Sequence, residues 1–337
     1  MEPLPPICIY CLTPRPLTDE GSDHVMPRAF GSFTNSPTLD CVCDGCNKYF
    51  GNTIEREMGR DSLEAVMRLI HGTKPASQHQ ELGNKRIRMS LDHEDPEWRG
   101  CHVVWREENG EPVASLVPQV GFKRTDGTGW VYVTEPDLTD VDKPLPPEVE
   151  QPPKHMRVVG NSEEMRARLM VILARRGVSF ERTTQTEGRL SSTDGLASLT
   201  LHGSVDDTSF RCVGKIAFNY LAWCIGADFV RGGSFNPLRA YVRHGTLAPY
   251  PLVRVVDRPI LADDTMESRQ TDGHLVTASW TTPGNHHIVG QVSLFNSITY
   301  SVSLARDYVG LWLPLVTGHH FSHQTGAISM LVSARVR

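Results

Sequence analysis

The 337-residue sequence lacks any long apolar run, any internal repeat and any strong excess of one charge. No stretch approaches the roughly 18 uninterrupted apolar residues that a membrane-spanning helix requires. The opening MEPLPPICIYC has neither a basic n-region nor an apolar h-region. A soluble, cytoplasmic protein without a membrane partner is therefore expected. Aromatic residues are few, at 7%, but 39% apolar and 22% charged residues make an ordinary globular balance, which excludes wholesale disorder and coiled-coil repeats. The length implies about two to three domains of roughly 100–200 residues.

A basic coat for gripping nucleic acid is also missing. The net charge is −5, from 34 Lys and Arg against 39 Asp and Glu. Residues 1–72 and 73–157 each carry −4, whereas residues 158–337 carry +3, so any positive surface is expected in the last part.

The eight cysteines are unevenly spread, five of them within the first 46 residues. Without a secretory signal a disulfide framework is not expected. The cysteines instead pair as Cys8-x2-Cys11 and Cys43-x2-Cys46. Two such knuckles are how a tetrahedral Zn²⁺ is held, each tight turn presenting two thiolates at about 2.3 Å. Cys41 reads as a buried thiol or a weak rival ligand, and Cys101, Cys212 and Cys224 as small core residues. The 31 residues between the knuckles exceed the roughly 15–20 of a simple zinc ribbon. They contain Asp23-His24 before Pro27 and Gly31, then the alternating Leu39, Cys41 and Cys43 of a short strand. From Asn47 the spacing of Phe50, Ile54, Met58, Leu63 and Val66 becomes helical.

The order of knuckle, Asp-His, hairpin, knuckle, Asn and helix resembles the HNH endonucleases, the ββα-metal nucleases in zinc-stapled form. The matching stretches are CIYC, DHVMPRAFG and LDCVCDGCN followed by YFGNTIE, over about residues 7–71. The resemblance is closest to the bacterial subgroup whose last motif position reads CN. It implies phosphodiester hydrolysis with His24 as general base, and Asp23 and Asn47 as oxygen ligands of a catalytic Mg²⁺ or Mn²⁺. It also implies a recurrent acidic position at Glu55, which reads equally as a solvated helical carboxylate. The four-thiolate zinc has no open position and is structural. One departure concerns the middle Asn that buttresses the base: Thr38-Leu39 stands in its usual place and Asn35 lies three residues earlier. DNA is the implied substrate, and the layout resembles bacterial restriction and anti-phage proteins. The alternative is a non-catalytic zinc module that binds nucleic acid or protein.

The expected fold class is α+β, with an N-terminal treble-clef-like ββα-metal domain (1–72). A β-rich connecting region (73–157) follows and ends in the proline-rich run 143–153, read as a stiff linker. Residues 158–337 form a larger mixed α+β domain, with helices at 161–177, 211–226 and 235–244 and strands at 252–256, 274–280, 286–295 and 298–304. That domain is a candidate target reader, a sensor for a small-molecule or protein activator, or a homodimerisation unit. Arg211, Lys215, Arg231, Arg239 and Arg243 read either as a shared phosphate-tracking face or as solvated helix surface. The His286-His287 and His319-His320-x2-His323 groups read as strand and loop histidines rather than metal ligands.

Overall fold

The computed structural model describes residues 6–14, 22–73, 87–108, 111–160, 162–178, 198–256, 273–280, 286–308 and 316–331. Asn109-Gly110, a turn signal between two strand-like runs, and Asn161, a capping residue type at the start of the helix expected over 161–177, lie outside them. The chain is mixed α+β and divides into two compact units, one formed by residues 1–75 with 205–337 and the other by residues 76–204.

The first unit begins with the cysteine-rich segment. Strands β1 (Asp23–His24) and β2 (Thr38–Leu39) pair antiparallel, Asp23 opposite Leu39 and His24 opposite Thr38. Helices α1 (Asp44–Asn52), α2 (Ile54–Arg60) and α3 (Leu63–Ile70) follow. Ser62 caps α3 by accepting the Ala65 N–H at 3.1 Å. His71 stands at the C-terminal cap of α3, with its ring stacked on Phe295.

The second unit is built from strands β3 (Ile87–Asp92), β4 (His102–Glu108), β5 (Glu111–Leu116), β6 (Gln119–Lys123) and β7 (Trp130–Thr134), then helix α4 (Glu135–Thr139). Strand β8 (Met156–Val159), helix α5 (Glu163–Arg175) and strand β9 (Ser198–Gly203) complete it. Its strands form a four-stranded sheet, β5-β4-β3-β9, and a three-stranded sheet, β7-β6-β8. Both sheets are closed by strands from beyond residue 150, so the unit runs through the boundary expected near 157. The proline-rich run is accordingly not a linker between units. Val149 is fully buried, Leu145 packs against the same core, and Val149 bridges to Arg124. Arg176 at the end of α5 donates to the carbonyls of Asp137, Leu138, Asp140 and Lys143 and ties this run down.

The chain then returns to the first unit with helix α6 (Asp207–Ile225), α7 (Ala227–Val230) and α8 (Asn236–His244). Gly245 ends α8 in the left-handed region at φ 69°, the expected helix stop. Strands β10 (Val253–Val256), β11 (Gly273–Trp280), β12 (Ile288–Leu294), β13 (Ile298–Ala305), β14 (Val316–Ser322) and β15 (Ile328–Met330) form an antiparallel sheet in the order β10-β13-β12-β11-β14-β15. Helix α6 touches α2 and β2 and also strands β10 to β13. Apolar residues occur all round it, as expected of a helix covered on every side. Gly290 lets it approach β12, where a Cβ would stand 3.0 Å from that of Ala217.

One apolar core runs through this unit. Tyr10, Phe50, Ile54 and Met58 from the cysteine-rich segment share it with Val213, Ile216, Phe218 and Tyr220 of α6 and with Val292 and Tyr300 of the sheet. Tyr10 meets Phe50 and Phe218 edge-on at 4.6 and 5.3 Å between ring centres. A segment of about 70 residues seldom builds an adequate core alone, and this one completes its core with α6. Residues 76–204 expressed alone should therefore unfold cooperatively, whereas residues 1–75 alone should bind zinc but show no cooperative melting transition by circular dichroism.

His319 and His320 lie in β14 and His323 in the turn after it, as strand and loop histidines. The ring of His274 on β11 is fully buried, accepting the Phe295 N–H at 3.1 Å and donating to the Phe30 carbonyl at 3.0 Å. Burial, followed by the neighbouring His323, His320 and His71, holds its pKa well below the usual 6.5. The unfolded chain therefore takes up a proton below about pH 6.5 that the folded chain refuses. Unfolding free energy should fall between pH 7 and 5, His274 adding up to about 1.4 kcal/mol per pH unit. Denaturant titrations of His274→Gln should show a shallower fall. An unchanged slope would exclude His274 as a contributor.

Candidate functional site

In the cysteine cluster the backbone is folded around sulfur. The four sulfurs of Cys8, Cys11, Cys43 and Cys46 lie within 4.8 Å of one another. The N–H groups of Tyr10 and Cys43 both point at Cys8 Sγ at 3.4 Å. Cys8 is pushed down to about 4, chiefly by the hydrogen bond with Cys46, and Cys46 is pushed up in turn. Converging thiols, amides aimed at sulfur and a stabilised thiolate fit a zinc ion. Cys41 stands apart from this group. It is buried, burial raises its pKa to about 11, and it serves through its carbonyl, which accepts the Ile9 N–H at 2.9 Å.

Strand β1 turns Asp23 and His24 to opposite sides. His24 is half-buried, its Nδ1 3.3 Å from Ser36 Oγ and its Nε2 accepting from Arg28 Nε at 2.9 Å. Because a guanidinium only donates, Nε2 carries the lone pair and Nδ1 the proton. Burial first, then Arg28, and more weakly Lys215, lower the pKa of His24 against the opposing pull of Asp23. The ring is thus neutral near pH 7, and Ser36 stands where a buttress was sought at Asn35 or Thr38. Asn35 has a role of another kind, turning the chain at φ 55° just before Ser36.

Asp23 departs from the expected open metal ligand. It is 3% exposed, and both carboxylate oxygens are engaged by α6: Oδ1 by Lys215 Nζ at 2.7 Å and Oδ2 by Asn219 Nδ2 at 3.0 Å. Glu55, in the first turn of α2, reaches the same ammonium at 2.7 Å. Asn219 also donates to the His24 carbonyl at 3.2 Å and accepts the Tyr10 hydroxyl at 2.8 Å. Lys215 and Asn219 are four apart and so project from one face of α6. Burial alone would lower the pKa of Lys215, but Asp23 and Glu55 more than offset it and raise it. Lys215 is therefore charged, and its ammonium already stands between the two acids. With an ammonium already held on Oδ1 and an amide on Oδ2, this arrangement does not fit a divalent ion at Asp23. Asn47 lies half-buried on α1, its N–H bonded to the Cys43 carbonyl at 2.9 Å.

The structure thus brings Asp23 and Glu55 together through a lysine that is distant from both in sequence, 192 residues beyond Asp23. Of the other basic residues of that region, Arg211, Arg231 and Arg239 are engaged within the first unit rather than turned towards a phosphate backbone. Arg231 donates to the Ile7 carbonyl at 2.6 Å, and Arg239 donates to that of Ile9 at 2.6 Å, so both grip the first knuckle. Arg211 donates to the end of α8 and to the Tyr49 hydroxyl at 2.9 Å.

Tyr10→Phe removes one donor from this buried network and strands Asn219 Oδ1. Chemical denaturation should show a loss of about 1–3 kcal/mol. A neutral result would mean that water reaches the network.

No curated protein and no solved structure matches the chain. Residues 8–63, which hold both knuckles, the Asp-His pair and Glu55, match the family model described as HNH endonuclease, so the chain carries an N-terminal HNH endonuclease domain.

Proposed function

We propose that this domain hydrolyses phosphodiester bonds in DNA with His24 as the general base. The observation that carries the reading is the single-acceptor geometry of His24, its lone pair on Nε2 and its proton held towards Ser36. Arg28 is exposed, and its fork suits a phosphate oxygen pair. A backbone phosphate that draws Arg28 towards itself uncovers Nε2 for a water molecule. His24 then takes the proton of that water as its oxygen bonds to phosphorus. The bond from phosphorus to the leaving sugar oxygen breaks, and that oxygen is protonated from solvent. The family resemblance also implies Mg²⁺ or Mn²⁺ at Asp23 and Asn47, but the engaged Asp23 supports no step through such an ion.

The same engagement favours a second reading, a zinc-stapled interaction module without catalysis. Plasmid nicking by zinc-loaded protein, with and without Mg²⁺ or Mn²⁺, separates the two. Cutting by the native chain that falls at least about 100-fold in His24→Ala, with zinc content and melting temperature unchanged, supports the base assignment. Equal cutting by that variant removes it, and no cutting under any condition favours the interaction module.

A further inference from the structure

The acidic pair in the HNH domain already has a cation of its own. Lys215 Nζ lies 2.7 Å from Asp23 Oδ1 on β1 and 2.7 Å from Glu55 Oε1 on α2, with its side chain fully buried. It sits 5.6 Å from the centre of the Phe50 ring, an apolar wall that also favours positive charge. Hard carboxylate oxygens converging on one point from two separate elements are the donor set of a small divalent cation. Here an ammonium takes that point, and Asn219 takes the remaining Asp23 oxygen.

We propose that Lys215 is the resident cation of the Asp23–Glu55 site, and that it and a divalent ion exclude one another there. The argument is electrostatic and steric. Two carboxylates and one ammonium leave a buried net charge of −1, whereas a divalent ion in place of the ammonium would neutralise the pair. A divalent ion added beside the ammonium would set three positive charges against two negative ones within a few ångström, at a carboxylate whose two oxygens already each accept a hydrogen bond. Entry of the ion therefore requires Lys215 to leave. Lys215 belongs to α6, which is packed against strands β10 to β13. The part of the chain outside the HNH domain thus controls ion access to it. The proposal rests on the HNH reading only for the identity of the acidic residues, and its test reads ion occupancy rather than cutting, so either can fail without the other.

The experiment is Mn²⁺ titration of the zinc-loaded full chain followed by electron paramagnetic resonance, for the native protein, Asp23→Asn, Lys215→Met and Lys215→Met/Asp23→Asn. The expected result is one Mn²⁺ per chain in Lys215→Met, held at least about tenfold more tightly than by the native protein, with the gain lost in the double variant. Melting temperature should rise with Mn²⁺ in Lys215→Met and not in the native protein. Equal Mn²⁺ uptake by the native protein and Lys215→Met overturns the proposal. So does a native site for one Mn²⁺ per chain that Asp23→Asn abolishes. Because Lys215→Met leaves two buried carboxylates unpaired, it is also refolded with and without Mn²⁺. Recovery of folded chain only with Mn²⁺ supports the assignment, and recovery in neither condition overturns it.

Discussion

The ammonium of Lys215 between Asp23 and Glu55 is the interaction on which the rest of the first unit depends. Burying a charged lysine is costly, and its attraction to two acids offsets that cost only if the remaining polar atoms are also satisfied. On the Asp23 side Asn219 and Tyr10 do this, passing hydrogen bonds from the first knuckle through α6 to Asp23 and the His24 carbonyl, whereas Glu55 Oε1 meets the ammonium as an ion pair alone. Removing one member of such a network costs more than its own hydrogen bond, because its partners stay buried without it. The network also fixes position. An apolar helix face can slide against its neighbour with little penalty, but a lysine and an asparagine one turn apart pair with Asp23 at one setting only. The backbone of the Asp-His strand is thereby locked to α6.

The four-cysteine cluster, whose geometry fits zinc, and α6 share the work of holding a small domain that lacks enough core of its own. The metal site joins the knuckle at Cys8 and Cys11 to the entry of α1 at Cys43 and Cys46. The outer side of that knuckle is held by two arginines, Arg231 and Arg239, on the carbonyls of Ile7 and Ile9. The core beneath it is continuous with α6 and the six-stranded sheet. Lys215 and Arg239 are thus basic residues placed in the interior of the unit rather than on a surface for nucleic acid.

Local features of this protein were legible in its sequence, and non-local ones were not. Paired cysteines, the Asp-His step, Pro237 at the start of α8 and Gly245 after its end each act within a few residues, and their spacing identified them. Helix α5 and strands β10 to β13 followed from apolar periodicity. The proline-rich run was misread because proline excludes regular structure but not burial, and Val149 is buried by a core completed beyond residue 157. The insertion of residues 76–204 in sequence between the two stretches of chain that form the first unit rests on pairings such as β3 with β9, more than 100 residues apart, which no local pattern encodes. Ser36 escaped notice because the buttress of His24 was sought at Asn35 or at the motif position held by Thr38, whereas the left-handed turn at Asn35 presents the next residue instead. Lys215 and Asn219 left a faint signal: a helix apolar on every face, interrupted by two polar residues four apart, is expected to bury them against a polar partner.

That interruption bears on how the two parts of the first unit came to be joined. If Lys215 and Asn219 served only to attach α6, apolar residues of similar volume would attach it as well or better, since buried ion pairs seldom outdo apolar packing in stability. What apolar residues cannot do is pair with two carboxylates at one point. The ammonium holds Asp23 and Glu55 close together where the two acids would otherwise repel one another. The lysine is thus better explained by the acidic site it keeps intact than by the stability it adds, and the cost of its burial is a consequence of placing that site beneath a helix.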